Sequence, residues 1–235
     1  MNSDSILQIL ADIGAIITDS HIVYTSGRHG TAYINKDCLY KHTQKTSELC
    51  KAMAAKYDAD NVDVVIGPTV GGVVLSQWVT HHLNTARSKG ETLSLFAESE
   101  GEGPDKKFVI KRGYDSFIPG KNVVVVEDVL TTGGSARKVI ECVKALEGNV
   151  LGLSVLCNKG VKPAAVGDVC INSLVNIVLG SWAEEECKLC KLGVPVNTDV
   201  GKGRVFLEKR KSSHVETGEA ASAQSIRTTR QNTRV

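Results

Sequence analysis

From Val123 to Ala136 the chain reads Val-Val-Val-Val-Glu-Asp-Val-Leu-Thr-Thr-Gly-Gly-Ser-Ala, an apolar run that delivers two adjacent carboxylates into a loop of hydroxyls and glycines. The valines Val123 to Val126 lack the alternation of a half-exposed strand. They predict a central strand of a parallel sheet, covered on both faces. Such a strand commits the chain to an open α/β fold. Its carboxyl end, where Glu127 and Asp128 stand, is the edge at which that architecture binds ligands. After the loop, Ala136, Val139, Ile140, Val143 and Leu146 recur at helical spacing, with Arg137, Lys138, Glu141 and Lys144 elsewhere around the turn. This pattern predicts an amphipathic helix, stopped by Gly148.

The loop itself is suited to an anion. Gly133 and Gly134 permit tight backbone geometry, Thr131, Thr132 and Ser135 offer hydroxyls, and Ser135 is placed to cap the helix. Converging N–H groups and the positive end of the helix dipole complete the site. A second loop repeats the logic: Val62 to Ile66 reads as a strand, Gly67-Pro68-Thr69-Val70-Gly71-Gly72 follows, and a helix-like run continues from Val73 through Leu83. Its glycines let main-chain amides approach a pyrophosphate, although alone the segment reads better as a plain strand-to-helix turn without a ligand. No G-x-x-x-x-G-K-[ST] string occurs and no G-x-G-x-x-G follows a strand, which argues against a P-loop ATPase and a dinucleotide-binding fold.

The string from Glu127 to Ser135 resembles the phosphoribosyl pyrophosphate (PRPP) signature of the type I phosphoribosyltransferases. The resemblance implies a mainly parallel central sheet flanked by helices, with a small hood drawn from both ends of the chain. It covers residues 1–208 and leaves 209–235 as a tail. It further implies that Glu127 and Asp128 face the ribose 2′ and 3′ hydroxyls. Thr131, Thr132, Gly133, Gly134 and Ser135 would wrap the 5′-phosphate, and Thr69, Val70, Gly71 and Gly72 the pyrophosphate. Mg²⁺ would be held mainly through PRPP, with no direct protein ligand, in keeping with how few protein ligands this ion takes. Some relatives carry a lysine where Gly71 stands, so pyrophosphate binding here would rest on main-chain donors.

Leu93 to Phe96 reads as a strand and Gly101 to Lys107 as a mobile, polar connector. Lys106, Lys107, Lys111 and Arg112 place four cations within seven positions, which suits a lid that closes over a phosphate-rich substrate; a solvated hairpin with surface lysines is the alternative. In the orotate branch of the family this loop reaches a neighbouring subunit's site, which implies a homodimer. The segment from Ser26 to Asp37 resembles that branch's early S-G-[RK]-x-S-x-Y segment, with Gly30 in place of serine. By that resemblance Arg28, Tyr33 and Ile34 touch a planar base. Lys159 stands where the branch usually places an arginine for orotate's carboxylate, and Ser99 where it often has another. Orotate is the leading substrate, with a purine base or a non-catalytic PRPP-binding role as alternatives.

Length 235 and 42% apolar residues supply one sizeable core. A formal charge of +2 carries no signal for nucleic acid or a membrane surface. Met1 to Ile17, interrupted by Asp4 and Asp12, reads as an opening helix and not as a signal peptide or a membrane span. A further helix is expected from about Thr46, with Leu49, Cys50, Met53 and Tyr57 on one face. Seven scattered cysteines fit a reducing cytoplasm. Cys187-Lys188-Leu189-Cys190 could be half a zinc site, but no close Cys or His pair follows it, so a reduced pair is expected, with Cys157 and Cys170 conceivable as distant partners. His21, His29 and His42 are too dispersed to assign, and His81-His82 reads as a helix end near the surface. The stretch from Ser212 to Val235, poor in apolar residues, is expected to be disordered.

Overall fold

Apolar runs bounded by turn residues alternate with helical periodicity along the chain. The computed structural model describes residues 1–24, 26–101, 107–177 and 179–210. Lys106, most of the expected polar connector and the expected disordered tail therefore lie outside the described residues. In chain order the elements are α1 (Ser3–Asp12), the short strands β1 (Ile16–Ile17), β2 (Ile22–Val23), β3 (His29–Gly30) and β4 (Tyr33–Ile34), then α2 (Asp37–Tyr40), α3 (Thr43–Ala54), β5 (Val64–Pro68) and α4 (Gly71–Ala86). They continue with β6 (Leu93–Glu100), β7 (Lys107–Val109), β8 (Asn122–Leu130), α5 (Gly134–Ala145), β9 (Asn149–Asn158), β10 (Ile171–Asn176) and α6 (Lys188–Lys191). A last helical stretch spans 203–210.

The chain divides into two units, Met1–Ile16 with Ile34–Val178, and Ile17–Tyr33 with Leu179–Val235. The first is built on a six-stranded sheet of order β10-β9-β8-β5-β6-β7, parallel throughout except for the antiparallel edge strand β7. β8 is the buried centre expected from its valines. Val124 and Val126 join a core with α1, α3 and α4, while Val123 and Val125 join a separate core against α5. Each valine is fully buried, so the strand has no solvated face and could not tolerate alternation.

Element limits shift where tertiary pairing extends them. β8 runs on to Leu130 because β9 continues alongside as far as Asn158, so Glu127 and Asp128 lie within the ladder and not beyond it. α4 starts at Gly71, two residues before its apolar periodicity begins. α5 ends at Ala145. There Glu147 takes the left-handed conformation at φ 59°, while Gly148 is required for room, since a Cβ there would lie 2.7 Å from Ile118 and Val143 side chains. The second unit is drawn from both ends of the chain: β2 pairs antiparallel with β3, His21 bridges to Val196, and His29 bridges to Trp182. Among the described residues no helix is long and apolar enough to cross a membrane.

Candidate functional site

β5 and β8 are parallel neighbours whose following connections leave in opposite directions. β5 leads through α4 to β6 on one side, and β8 leads through α5 to β9 on the other. Their carboxyl ends therefore border a topological switch point, where an open α/β sheet leaves a crevice for ligand. Both helices begin at this edge, and their amino termini bring unsatisfied N–H groups and positive dipole ends to it.

Asp128 is the centre of this edge. It is 2% exposed, and the pleat sets it on the same face of β8 as Val124 and Val126, with Glu127 on the other. The adjacent carboxylates are thus not presented side by side, and Glu127 turns its Oε1 back toward the Asp128 amide at 3.2 Å. The Asp128 Oδ2 accepts a hydrogen bond from the Tyr40 hydroxyl at 2.6 Å and lies 3.1 Å from the Lys36 ammonium, while Oδ1 accepts from the Val129 amide at 2.6 Å. Burial, then the Asp128 charge, holds the Tyr40 phenol protonated far above its ordinary range. Burial alone would lower Lys36, but Asp128 outweighs it and holds the ammonium charged. One cation and two donors thus satisfy a buried carboxylate whose burial would otherwise be costly.

Sequence reasoning missed Lys36 and Tyr40. They flank a single helical turn, Lys36 at the amino-terminal cap of α2 and Tyr40 as its last residue, and no motif marks a lysine and a tyrosine at that spacing. Gly71 explains the close meeting of the two loops, since a Cβ there would collide with both Asp128 Oδ2 and Tyr40 Oη. Gly67 and Gly72 pack backbone to backbone, with a Cβ on Gly67 falling 2.6 Å from the Gly72 Cα. Between them the Thr69–Val70 peptide is cis, Val70 is 81% exposed, and Thr69 Oγ1 accepts from the Ser99 amide at 3.2 Å. Ser99 itself is exposed.

In the loop after β8, Thr131, Thr132, Gly134 and Ser135 are exposed and Gly133 is buried. Ser135 does not cap α5. Gly133 takes the capping position at φ 81°, where a Cβ would also lie 2.8 Å from Val166, and no side chain caps the helix. Its first amides thus remain directed at the edge of the sheet.

The expected lid cations that are described lie on the hairpin of β6 and β7 and just beyond it. Lys107 and Lys111 both pair with Glu100, the former at 3.3 Å, and Arg112 pairs with Glu98 at 2.5 Å while its guanidinium lies 5.7 Å from the Phe96 ring centre. Hydrogen bonds from Lys111 and Lys107 hold the Glu100 carboxyl below its usual range. All of these pairs are at the surface, where they are weak and exchangeable.

Of the expected base contacts, Lys159 follows β9, donates its amide to the Leu130 carbonyl at 2.9 Å, and is pulled below the ordinary lysine range by burial. Ile34, expected to touch the base, is 8% exposed and packs in the first unit's core. Arg28 and Tyr33 belong to the second unit, where Arg28 donates to Ser181 through Nε (Oγ, 2.9 Å) and Nη2 (carbonyl, 2.7 Å). Cys187 and Cys190 are free thiols, as a reduced pair would be, but the distant partners considered for them need correction. Cys187 and Cys190 meet His21 and His29, not Cys157 or Cys170, with one ligand atom from each of the four within 4.8 Å of the others. The sequence signal was present only as a Cys-x-x-Cys, because the histidines precede it by more than 150 residues.

Residues 39–186 match the Phosphoribosyl transferase domain family. The chain is 35% identical over 196 residues to an orotate phosphoribosyltransferase of Thermoanaerobacter sp. (strain X514), covering 83% of this chain and 96% of that protein. It is 37% identical over 195 residues to an orotate phosphoribosyltransferase of Desulforamulus reducens, covering 83% and 95%. Its fold is similar to the crystal structure of orotate phosphoribosyltransferase from Aeropyrum pernix (TM-score 0.57, 23% identity, 79% of this chain and 97% of that one). It is also similar to adenine phosphoribosyltransferase from Thermoanaerobacter pseudethanolicus (TM-score 0.57, 16% identity, 75% and 100%).

Proposed function

The chain belongs to the phosphoribosyltransferase family, and on that premise we infer that it is an orotate phosphoribosyltransferase, a pentosyltransferase of pyrimidine nucleotide synthesis. It moves the 5-phosphoribosyl group of PRPP to orotate and releases orotidine 5′-monophosphate and pyrophosphate. The observation that carries this reading is the switch-point carboxylate: Asp128, buried and braced by Lys36 and Tyr40, set between two glycine-rich loops that each open a helix. The base is assigned from the curated relatives, which the chain matches along nearly their whole length.

In this proposal a ring nitrogen of orotate forms the new bond to the anomeric carbon as the bond to the pyrophosphate oxygen breaks. Positive charge develops on the ribose, and the Glu127 and Asp128 carboxylates stabilise it and accept from the ribose hydroxyls. Thr131 to Ser135, with the uncapped amides of α5, hold the 5′-phosphate. Thr69 to Gly72 and the start of α4 hold the departing pyrophosphate. Lys107, Lys111 and Arg112 exchange their surface pairs for substrate phosphate, and Lys106 joins them by resemblance. Arg28, Tyr33, Ile34 and Lys159 are the base contacts by resemblance.

Mg²⁺ fits this donor set as a substrate-borne ion. The Lys36 ammonium beside Asp128 Oδ2 opposes a second cation there while lone pairs remain for a ribose hydroxyl, and the ion's role when bound would be to neutralise the pyrophosphate. The resemblance further implies a homodimer, which sedimentation at assay concentration tests. The activity is tested with a panel of bases, PRPP and Mg²⁺. Consumption of orotate with release of pyrophosphate is the expected result, and turnover only with adenine, guanine or hypoxanthine would overturn it.

A further inference from the structure

The second unit has little apolar interior. Among its described residues Ile22 and Val23 are the only buried aliphatic side chains, and the rest of its interior is His21, His29, Cys187 and two glycines. Its strands are two residues long. A segment of this kind cannot be held by hydrophobic burial, and small units that lack a core are stapled by disulfides or metals. All seven cysteines are free, so no disulfide supplies the staple.

The side chains at its centre are arranged as a coordination shell. His21 Nδ1 lies 2.8 Å from the Val194 carbonyl, to which it donates, and this leaves Nε2 as a lone-pair donor. That Nε2 lies 2.9 Å from His29 Nδ1, 3.5 Å from Cys187 Sγ and 3.6 Å from Cys190 Sγ, while Cys190 Sγ lies 3.4 Å from His29 Nδ1. Metal bonds of about 2.0–2.1 Å to nitrogen and 2.3 Å to sulfur give nitrogen-to-sulfur edges of about 3.5 Å in a tetrahedron. The other nitrogen of His29 is buried without a hydrogen-bond partner, so the working atom of that ring is the one aimed into the cluster. Cys187 caps the single turn of α6 and Cys190 ends within it, the tight spacing by which two thiolates share one ion.

We propose that His21, His29, Cys187 and Cys190 bind one structural Zn²⁺ that fastens the amino-terminal hairpin of the second unit to its carboxy-terminal segment. Two nitrogens and two sulfurs in a closed tetrahedron select zinc among common ions. A two-iron cluster would seat the His pair and the Cys pair on different irons, and the sulfur-to-nitrogen distances here are too short for that. All four positions are filled by protein, so the ion performs no chemistry. Its effect is positional, because His29 follows Arg28 directly and the segment bearing Ser181, which holds the Arg28 guanidinium, leads into Cys187.

The test uses the full chain, purified under reducing conditions without chelator and without a histidine tag. Elemental analysis should find about one zinc per chain, and cobalt reconstitution of the stripped protein should give the ligand-field and sulfur charge-transfer bands of a tetrahedral cysteine-histidine site. Cys190→Ser should reduce the bound metal to a trace and abolish those bands, whereas Cys170→Ser, an exposed thiol outside the cluster, should keep both. No metal in the wild-type chain together with no cobalt bands, or full metal retention in Cys190→Ser, would overturn the proposal. Because the wild-type spectrum needs no variant to fold, a misfolded mutant does not blur the result. The readout also involves neither PRPP nor orotate, so it stands apart from the assay of activity.

Discussion

Asp128 concentrates more physical constraint than any other residue of the site. Its carboxylate is 2% exposed yet meets a half-exposed ammonium, a phenol and an amide. Asp128→Asn preserves the shape and the acceptor for Tyr40 while removing the charge that would answer the developing ribose cation. We expect turnover to fall on the order of 100-fold or more with little change in melting temperature; a variant with near wild-type kcat would remove Asp128 from the mechanism. Gly71 tests the same centre from the opposite loop. Gly71→Ala places a methyl group against both Asp128 and Tyr40, so kcat/KM should fall about 100-fold through misplacement of the carboxylate, read by steady-state kinetics beside a circular dichroism spectrum like that of the wild type. The acidic pair and both glycine loops were legible in the sequence because their chemistry is local. Lys36 and Tyr40 were not, since their role exists only once α2 is folded against β8, and nothing in Lys-Asp-Cys-Leu-Tyr announces a distant carboxylate.

At the scale of elements, the hairpin of β6 and β7 carries the case for closure. Its described cations rest on Glu98 and Glu100 in weak surface pairs, so a phosphate-rich substrate can displace them at small cost. Replacing Lys106 and Lys107 together by alanine should therefore lower kcat at least tenfold while moving the melting temperature by no more than a degree or two. Unchanged turnover would return the loop to the status of a solvated hairpin. The same scale shows why boundaries were harder to read than element types. The four valines of β8 identify a buried strand, but its length is set by β9 alongside it, which pairs as far as Leu130. Ser135 is a good capping residue by type, yet the turn needs a left-handed residue two positions earlier and packs it against Val166, and only Gly133 meets both demands. The Cys-x-x-Cys spacing was visible in the sequence, while its histidine partners come from the other end of the chain.

For the whole molecule, the two-faced sheet has a consequence in alkaline solution. Cys50 on α3 and Cys157 near the end of β9 are buried in the same core, and burial pushes their thiols up to about 12 and about 11. Above the ordinary thiol value of 9.0 the unfolded chain releases these protons while the folded chain keeps them. The unfolded state then binds fewer protons, so stability is fully present below about pH 9 and declines as pH rises toward the folded values. The slope is limited to roughly 1 kcal/mol per pH unit for each thiol. From a pH of about 9 the buried thiols lead this fall, with Cys142 acting in the same sense, and Tyr40 and Tyr57 add to it as the pH nears the ordinary tyrosine value of 10.0. Denaturant titrations across that interval should show the loss in the wild type and a shallower one in Cys50→Ala, whose stability at neutral pH is lower by the small cavity it leaves. An equal slope in the two proteins would mean that the Cys50 thiol ionises as readily inside the fold as outside it, and that the core beside the catalytic edge admits water.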